Sequence, residues 1–189
     1  MKKTLFTLLT GTLLATSVWA EPSTYTTDPN HTFVRFSYSH LGYSTQLSRF
    51  DKVSGTITLD QAAKTGSADM TIDTRSANTG SPQFNEHIQG EDFLNTAAYP
   101  TATFKSTQMT FKGDVPDELV GELTLKGITR PVTLKITSFK CMPHPMLKKD
   151  ACGADAVAHV KRTDFNMGKY APYVGDDVTL TVSVEAIKQ

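Results

Sequence analysis

The chain has 189 residues, with 19 basic and 19 acidic side chains and no formal net charge. That balance, without any basic stripe, excludes the usual electrostatic footprint of a nucleic-acid binder. Beyond residue 20 no apolar run approaches the roughly 20 residues needed to span a bilayer as a helix, and the length that remains suits one domain with a sizeable core.

Residues 1–20 read as a cleavable signal peptide. Lys2 and Lys3 give a positive start, Leu5 to Leu14 is apolar, and Val18-Trp19-Ala20 supplies small residues before Glu21. The apolar run is too short for a membrane anchor. The expectation is an exported protein, with a single domain over residues 21–189.

From there the chain is written with a period of two. Val34, Phe36 and Tyr38 alternate with Arg35 and Ser37. Val53, Gly55, Ile57 and Leu59 alternate with Ser54, Thr56 and Thr58, and Ala68, Met70 and Ile72 with Asp69, Thr71 and Asp73. These are the first three of about eight predicted strands, with a turn at Lys64-Thr65-Gly66.

One interval breaks the alternation. Between Ser81 and Ala98, Phe84, His87, Ile88 and Glu91 fall at helical spacing, Ser81-Pro82 suits a helix start and Pro100 closes the region. We expect a short helix between strands three and four whose Phe84 and Ile88, with Phe93 and Leu94 of the following loop, cover an end or a side of the fold.

Five further strands are expected near Thr101–Phe111, Leu119–Lys126, Pro131–Lys140, Ala156–Thr163 and Val178–Ile187. Turn chemistry at Gly113-Asp114-Val115-Pro116 and Gly127-Ile128-Thr129-Arg130-Pro131 separates the first three of these. In the last, Val178, Leu180, Val182, Val184 and Ala186 face one way and Thr179, Thr181, Ser183 and Glu185 the other.

Cys141 and Cys152 are the only cysteines. In an exported protein they point to one disulfide stapling the loop between neighbouring strands, a gain of roughly 3 kcal/mol on the chain-entropy estimate. A rival reading makes Cys141, Met142, His144, Met146 and Cys152 a soft-metal cluster, although their spacing matches no familiar zinc finger.

Together these segments predict an all-β fold, an eight-stranded antiparallel barrel, because closure removes the exposed edges an open sheet would carry. Gly55, Ala68, Ala102, Ala156, Ala158 and Ala186 are small residues of the expected inner face. They leave volume that Phe36, Ile57, Met70 and Phe104 would line, so the barrel is read as hollow, with a packed interior as the alternative. His31, after Asp28-Pro29-Asn30, reads as a turn residue. His40 and His87 stand where they could line a mouth, and His144 and His159 read as surface residues. No Gly-x-Ser-x-Gly elbow or His-Glu-x-x-His helix is present, so a hydrolase has no visible nucleophile or metal seat.

Several blocks resemble the YceI-like, polyisoprenoid-binding family. They are Asp28-Pro29-Asn30-His31-Thr32-Phe33-Val34-Arg35-Phe36, His40-Leu41-Gly42, Ile72-Asp73-Thr74, His87-Ile88, Asp92-Phe93-Leu94, Tyr99-Pro100-Thr101-Ala102-Thr103-Phe104, Gly121 to Val132 and Asp164-Phe165-Asn166-Met167. Their order covers nearly the whole chain after the leader. The resemblance implies a lipocalin-like barrel, exported to the bacterial periplasm, that encloses an isoprenoid quinone or polyprenyl lipid. It implies binding or carriage without chemistry, no required cofactor, and a role near membrane quinone chemistry or stress adaptation. Transient contact with the inner membrane or a membrane cytochrome would follow, as a monomer or homodimer.

On that reading the ligand-lining candidates are Phe36, Tyr38, Ile57, Met70, Ile72, Ile88, Phe93, Phe104, Leu123 and Leu125, with His40 and His87 as the polar ones. Many relatives carry an Arg-Asp pair just before the helix histidine. Phe84-Asn85-Glu86 stands there in this chain, which favours a neutral quinone head over a pyrophosphate. The alternatives are a secreted lipid-modifying enzyme, if Asp73, His87, Glu91 and Asp92 converge, and a structural or metal-handling protein using the Cys141–Cys152 loop.

Overall fold

The computed structural model describes residues 21–189, so the expected leader lies outside the described residues. In chain order the elements are β1 (Ser23–Thr27), β2 (Phe33–His40), β3 (Ser44–Phe50), β4 (Val53–Asp60), β5 (Thr65–Asp73), β6 (Ala77–Asn78) and α1 (Pro82–Gln89). There follow β7 (Thr101–Lys112), β8 (Val115–Leu125), β9 (Ile128–Pro143), β10 (Asp150–Lys161) and β11 (Asp177–Lys188). The strands pair in the order β1-β4-β5-β7-β8-β9-β10-β11, and β11 returns to β1, closing an antiparallel ring of eight.

The other three strands add no new positions to that ring. β11 pairs with β1 through Thr27↔Ala186 and with β2 through Phe33↔Ser183, so β1 and β2 are two halves of one strand interrupted at residues 28–32. β3 beside β2 and β4 beside β1 are likewise one strand, bent at residues 51–52. β5 ends in a 3-10 turn at Thr74–Ser76, after which β6 pairs with β3 at Arg49 and Phe50. The eight expected strands are present, but the first three extend further than their alternation suggests and each is creased once.

The creases lie on neighbouring strands, and hydroxyl side chains replace the ladder bonds lost there. Thr32, fully buried, donates from Oγ1 to the Glu185 carbonyl at 3.1 Å. The Gly55 amide donates to Thr27 Oγ1 at 2.9 Å, and the Lys52 amide to Ser76 Oγ at 3.0 Å. Thr74, also buried, donates to the Tyr99 carbonyl at 2.7 Å. This explains why the creases are rich in Ser and Thr.

At the first crease His31 Nδ1 meets Asp28 Oδ2 at 2.8 Å, the turn role expected of His31. The bond holds the Asp28 carboxyl below its ordinary 3.8 and the His31 imidazole above its ordinary 6.5. The His31 contribution is present below pH 6.5 and is lost as pH rises through the raised imidazole value. The Asp28 contribution is present above pH 3.8 and is lost as pH falls through the lowered carboxyl value. The pair is therefore strongest between those two pH values, and it is small because both groups face solvent. In an NMR titration, Asp28→Asn should return His31 to about its ordinary 6.5; an unmoved His31 would contradict this account.

Turns set the other boundaries. Lys126 and Gly127 both have positive φ, 50° and 74°, a two-residue connection that lets β9 start at Ile128 rather than at Pro131. Cys141 and Cys152 are joined in a disulfide and face one another in the β9–β10 register, so the bridge locks the end of a ladder that runs on to Pro143 and Asp150. With both sulfurs in that bond, the soft-metal reading loses its thiolates. No group of three His, Cys, Asp or Glu side chains suited to a metal occurs among the described residues. The helix forms where Ser81 caps it, accepting from the Phe84 amide, with Pro82 in its first turn and Gly90 at its end.

Candidate functional site

Inward-facing residues of the strands form a large buried apolar cluster and a smaller one of Tyr25, Leu59 and Ala186, and two cavities lie among them. The first, about 220 Å³, sits at the end covered by α1. β2 supplies Phe36, Tyr38 and His40, β8 supplies Leu123 and Leu125, and β11 supplies Val178 and Leu180. The roof is Phe84, His87 and Ile88 of α1 with Phe93 and Leu94, which is the covering role expected of these side chains. The second cavity, about 100 Å³, lies toward the disulfide end and is lined by Ile57, Met70, Phe104, Met109, Ala156 and Val182 among others.

Eight of the predicted candidates therefore share the first cavity: Phe36, Tyr38, His40, His87, Ile88, Phe93, Leu123 and Leu125. Ile57, Met70 and Phe104 line the second, and Ile72 lines neither, being packed in the buried cluster opposite Val53 and Ala102. The small residues divide in the same way. Ala68, Ala156 and Ala186 open onto the second cavity, while Ala102 and Ala158 are enclosed by packing.

The wall between the cavities can be located by register. On β10 it falls at Ala158, between Ala156 and Val160; on β11 it falls between Leu180 and Val182. Across the barrel, Phe104 borders the second cavity while its cross-strand partner Leu123 borders the first. Phe104 reaches over Gly121, where a Cβ would stand 2.5 Å from its Cζ. Glycine at 121 is thus what lets the phenyl ring lie over the neighbouring strand β8.

The roof is an aromatic ladder. Phe84 stacks on His87 at 5.5 Å, His87 meets Phe93 at 5.0 Å, and Phe93 meets Tyr170 at 6.3 Å. Tyr170 and Val174 belong to the loop between Phe165 and Asp177 that completes the mouth. His40 is fixed beside this loop by an isolated bridge to Val174.

Several lining residues, among them Phe165, Met167 and Tyr170, were not among the predicted candidates, and one charged side chain escaped the sequence reading. Arg162, 8% exposed, lines the first cavity. Its Nε donates to the Gly175 carbonyl at 2.9 Å, Nη1 to Met167 at 2.5 Å and Lys169 at 3.2 Å, and Nη2 to Val174 at 2.7 Å. Burial lowers its pKa and raises that of Tyr38, its neighbour in the lining. The guanidinium is the strut of the mouth loop, and a basic residue ending a strand carries no sequence signal for partners that are backbone carbonyls.

The alternative catalytic group is divided: Glu91 and Asp92 line a separate surface pocket, His87 lines the first cavity, and Asp73 lines neither. Asp73 is engaged by Arg75, with Nε and Nη2 at 2.9 and 3.0 Å, and lies away from both cavities. Asp92 is paired with Lys169, and the His87 ring is held between Phe84 and Phe93. His159 is exposed beside Thr179, while His144, partly buried, accepts from the Met146 and Leu147 amides.

Comparison with known proteins agrees with this architecture. The YceI-like domain model matches residues 25–186. Protein YceI of Escherichia coli is 38% identical over 194 aligned positions, covering 100% of both chains. Among solved structures, BcnA of Burkholderia cenocepacia superposes with a TM-score of 0.73 at 27% identity, over 84% of this chain and 98% of that one. A polyisoprenoid binding domain from Saccharophagus degradans superposes with a TM-score of 0.63 at 17% identity, over 87% and 98%.

Proposed function

The chain belongs to the YceI-like family, and from that premise we propose that it binds and carries a long-chain isoprenoid lipid in the barrel interior, without catalysing a reaction on it. The observation that carries this reading is the first cavity, enclosed by Phe36, Phe93, Leu123, Leu125 and Leu180 under an aromatic roof. Such a lining keeps a water-insoluble chain in solution by burying its methylenes at roughly 0.8 kcal/mol each. The shared fold of a polyisoprenoid binding domain supports the same class of cargo.

The head is a neutral quinone rather than a pyrophosphate. Arg162, the cationic side chain of the lining, already donates to four carbonyls, and Phe84-Asn85-Glu86 brings no positive charge to the roof. A diphosphate there would lack the charge-assisted donors it needs. The carrier works in the periplasm after removal of residues 1–20, and takes up and releases its lipid at the inner membrane.

Native mass spectrometry of protein purified from its own cells, followed by solvent extraction, tests the reading. One isoprenoid molecule per chain is the expected result, and protein without any adduct under lipid-preserving conditions would overturn it. Phe36→Ala should weaken retention about tenfold, the equivalent of about 1.4 kcal/mol of lost contact. Lys148→Ala, on the exposed loop at the far end, should leave retention unchanged.

A further inference from the structure

Apart from Tyr99, whose ring lies over Gly127, the large exposed apolar side chains among the described residues fall into two groups, one at each end of the barrel. Val115, Met142, Met146 and Leu147 lie at the disulfide end, scattered over two connections that carry Lys112, Asp114, Lys148, Lys149 and Asp150. The group at the mouth is different. Leu41 and Tyr43 form the tip of the β2–β3 hairpin, Leu47 follows on β3, and Tyr170 and Tyr173 stand on the mouth loop. Tyr43 is 88% and Tyr173 75% exposed.

These residues form one surface because backbone hydrogen bonds tie the two segments together. The Leu41 amide donates to the Tyr173 carbonyl at 2.8 Å and the Gly175 amide to the Ser39 carbonyl at 2.7 Å. The surface is also free of fixed charge. No Asp, Glu, Lys or Arg occurs from Phe36 to Ser48 or from Tyr170 to Gly175. Of the charges that border it, Arg49 is paired with Asp51 and Lys169 with Asp92, while the Asp176 carboxylate accepts from Thr163.

We propose that this uncharged aromatic rim is a membrane-docking face that seats the mouth of the barrel on a lipid bilayer. Tyrosines on a projecting turn beside a leucine match the stratum between headgroups and acyl chains, where amphipathic rings settle and fixed charges are disfavoured. The charge pattern fits a neutral or zwitterionic surface in particular, since no cluster of Lys or Arg is present to seek anionic lipid. The patch is continuous with the cavity: His40, Tyr170 and Val174 belong to both the rim segments and the lining. A lipid leaving the bilayer would pass from one apolar medium to the other without crossing water. The inference rests on the carrier reading for its purpose, but its geometry stands on the rim alone.

The test is flotation with phosphatidylcholine vesicles, using the protein after removal of residues 1–20, a Tyr43→Asp/Tyr173→Asp double variant of it, and Met146→Asp as a control of similar exposure at the opposite end. The expected result is that the double variant loses at least about tenfold of the floated fraction, that Met146→Asp matches the parent, and that the parent's binding changes less than about twofold between 0.1 and 1 M salt. Equal flotation of all three proteins would overturn the proposal. So would loss of a dimer in size-exclusion chromatography of the double variant without any loss of flotation, because the rim would then be a contact between two copies. Extraction of bound lipid from the same samples separates this inference from the carrier reading. Lipid in every sample with rim-independent flotation sinks the docking face alone, and rim-dependent flotation without bound lipid sinks the carrier reading alone.

Discussion

Arg162→Met should lower the melting temperature by about 10 °C and free the loop from Asn166 to Asp176 from the barrel. The substitution keeps most of the apolar stem but removes every donor, leaving the carbonyls of Met167, Lys169, Val174 and Gly175 without their partner. A buried acceptor stripped of its hydrogen bond costs about 1–3 kcal/mol, and water reaches some of these once the loop loosens, so a net loss of about 4 kcal/mol is reasonable. For a domain of this length each kcal/mol corresponds to about 2–4 °C. Hydrogen exchange should locate the effect, with the Val174 and Gly175 amides exchanging faster and the centre of β8 keeping its protection. Arg162→Lys should fall between, since one ammonium cannot span four carbonyls spread over two sides of the loop. A methionine variant melting within about 3 °C of the parent would show that the loop is held by other means.

Phe104→Ala addresses the wall between the cavities. Loss of a buried phenyl ring costs about 3–5 kcal/mol through lost transfer energy and the void it leaves. Here the void has a particular place, because it enlarges the cavity around Met70 and Ile57 on the side that faces Leu123, a lining residue of the first cavity. If the cargo is the proposed isoprenoid chain, the variant should retain longer chains than the parent although it is less stable. The chain-length distribution of extracted lipid, read by mass spectrometry, checks this. An unchanged distribution in a folded variant would mean that the ligand never reaches the second cavity. Restoring bulk with Phe104→Leu should return the distribution toward that of the parent.

How much of this could be read from residues alone depends on whether a side chain's partner is also a side chain. Strand and helix positions were legible because burial on one face imprints a period, as at Val178 to Ala186 or Phe84 to Ile88. The halves β1 and β3 left no imprint. Ser23–Thr27 holds a single apolar residue, Tyr25, and the outward face of β3 is flanked by residues as polar as the buried Ser48. The creases were illegible for the related reason that Thr27, Thr32 and Thr74 bond to backbone, and a threonine in a strand reads the same whether it faces water or a carbonyl. Arg162 is the extreme case. At the cavity, parity identified inward residues such as Phe104 and Met70 correctly but could not divide one interior into two compartments, because the division depends on which inward side chains pack against one another. Ile72 shows the limit from the other side: it points inward and still meets only its neighbours.

The return of β11 to β1 has a consequence in time. The ring is closed by Tyr25↔Lys188 and Thr27↔Ala186, and the same final strand also holds β2 and β10. On the ribosome, every residue up to Asp176 can emerge while the seam still gapes, with β1, β2 and β10 presenting unpaired edges. Closure must therefore wait until β11 has been synthesised, and the pairing with the widest separation in the sequence is the final one of the ring to form. Until that moment the sheet is an open ribbon with two free edges; afterwards it is a closed cylinder. The strand that closes the ring therefore comes after every other strand of the ring in the chain.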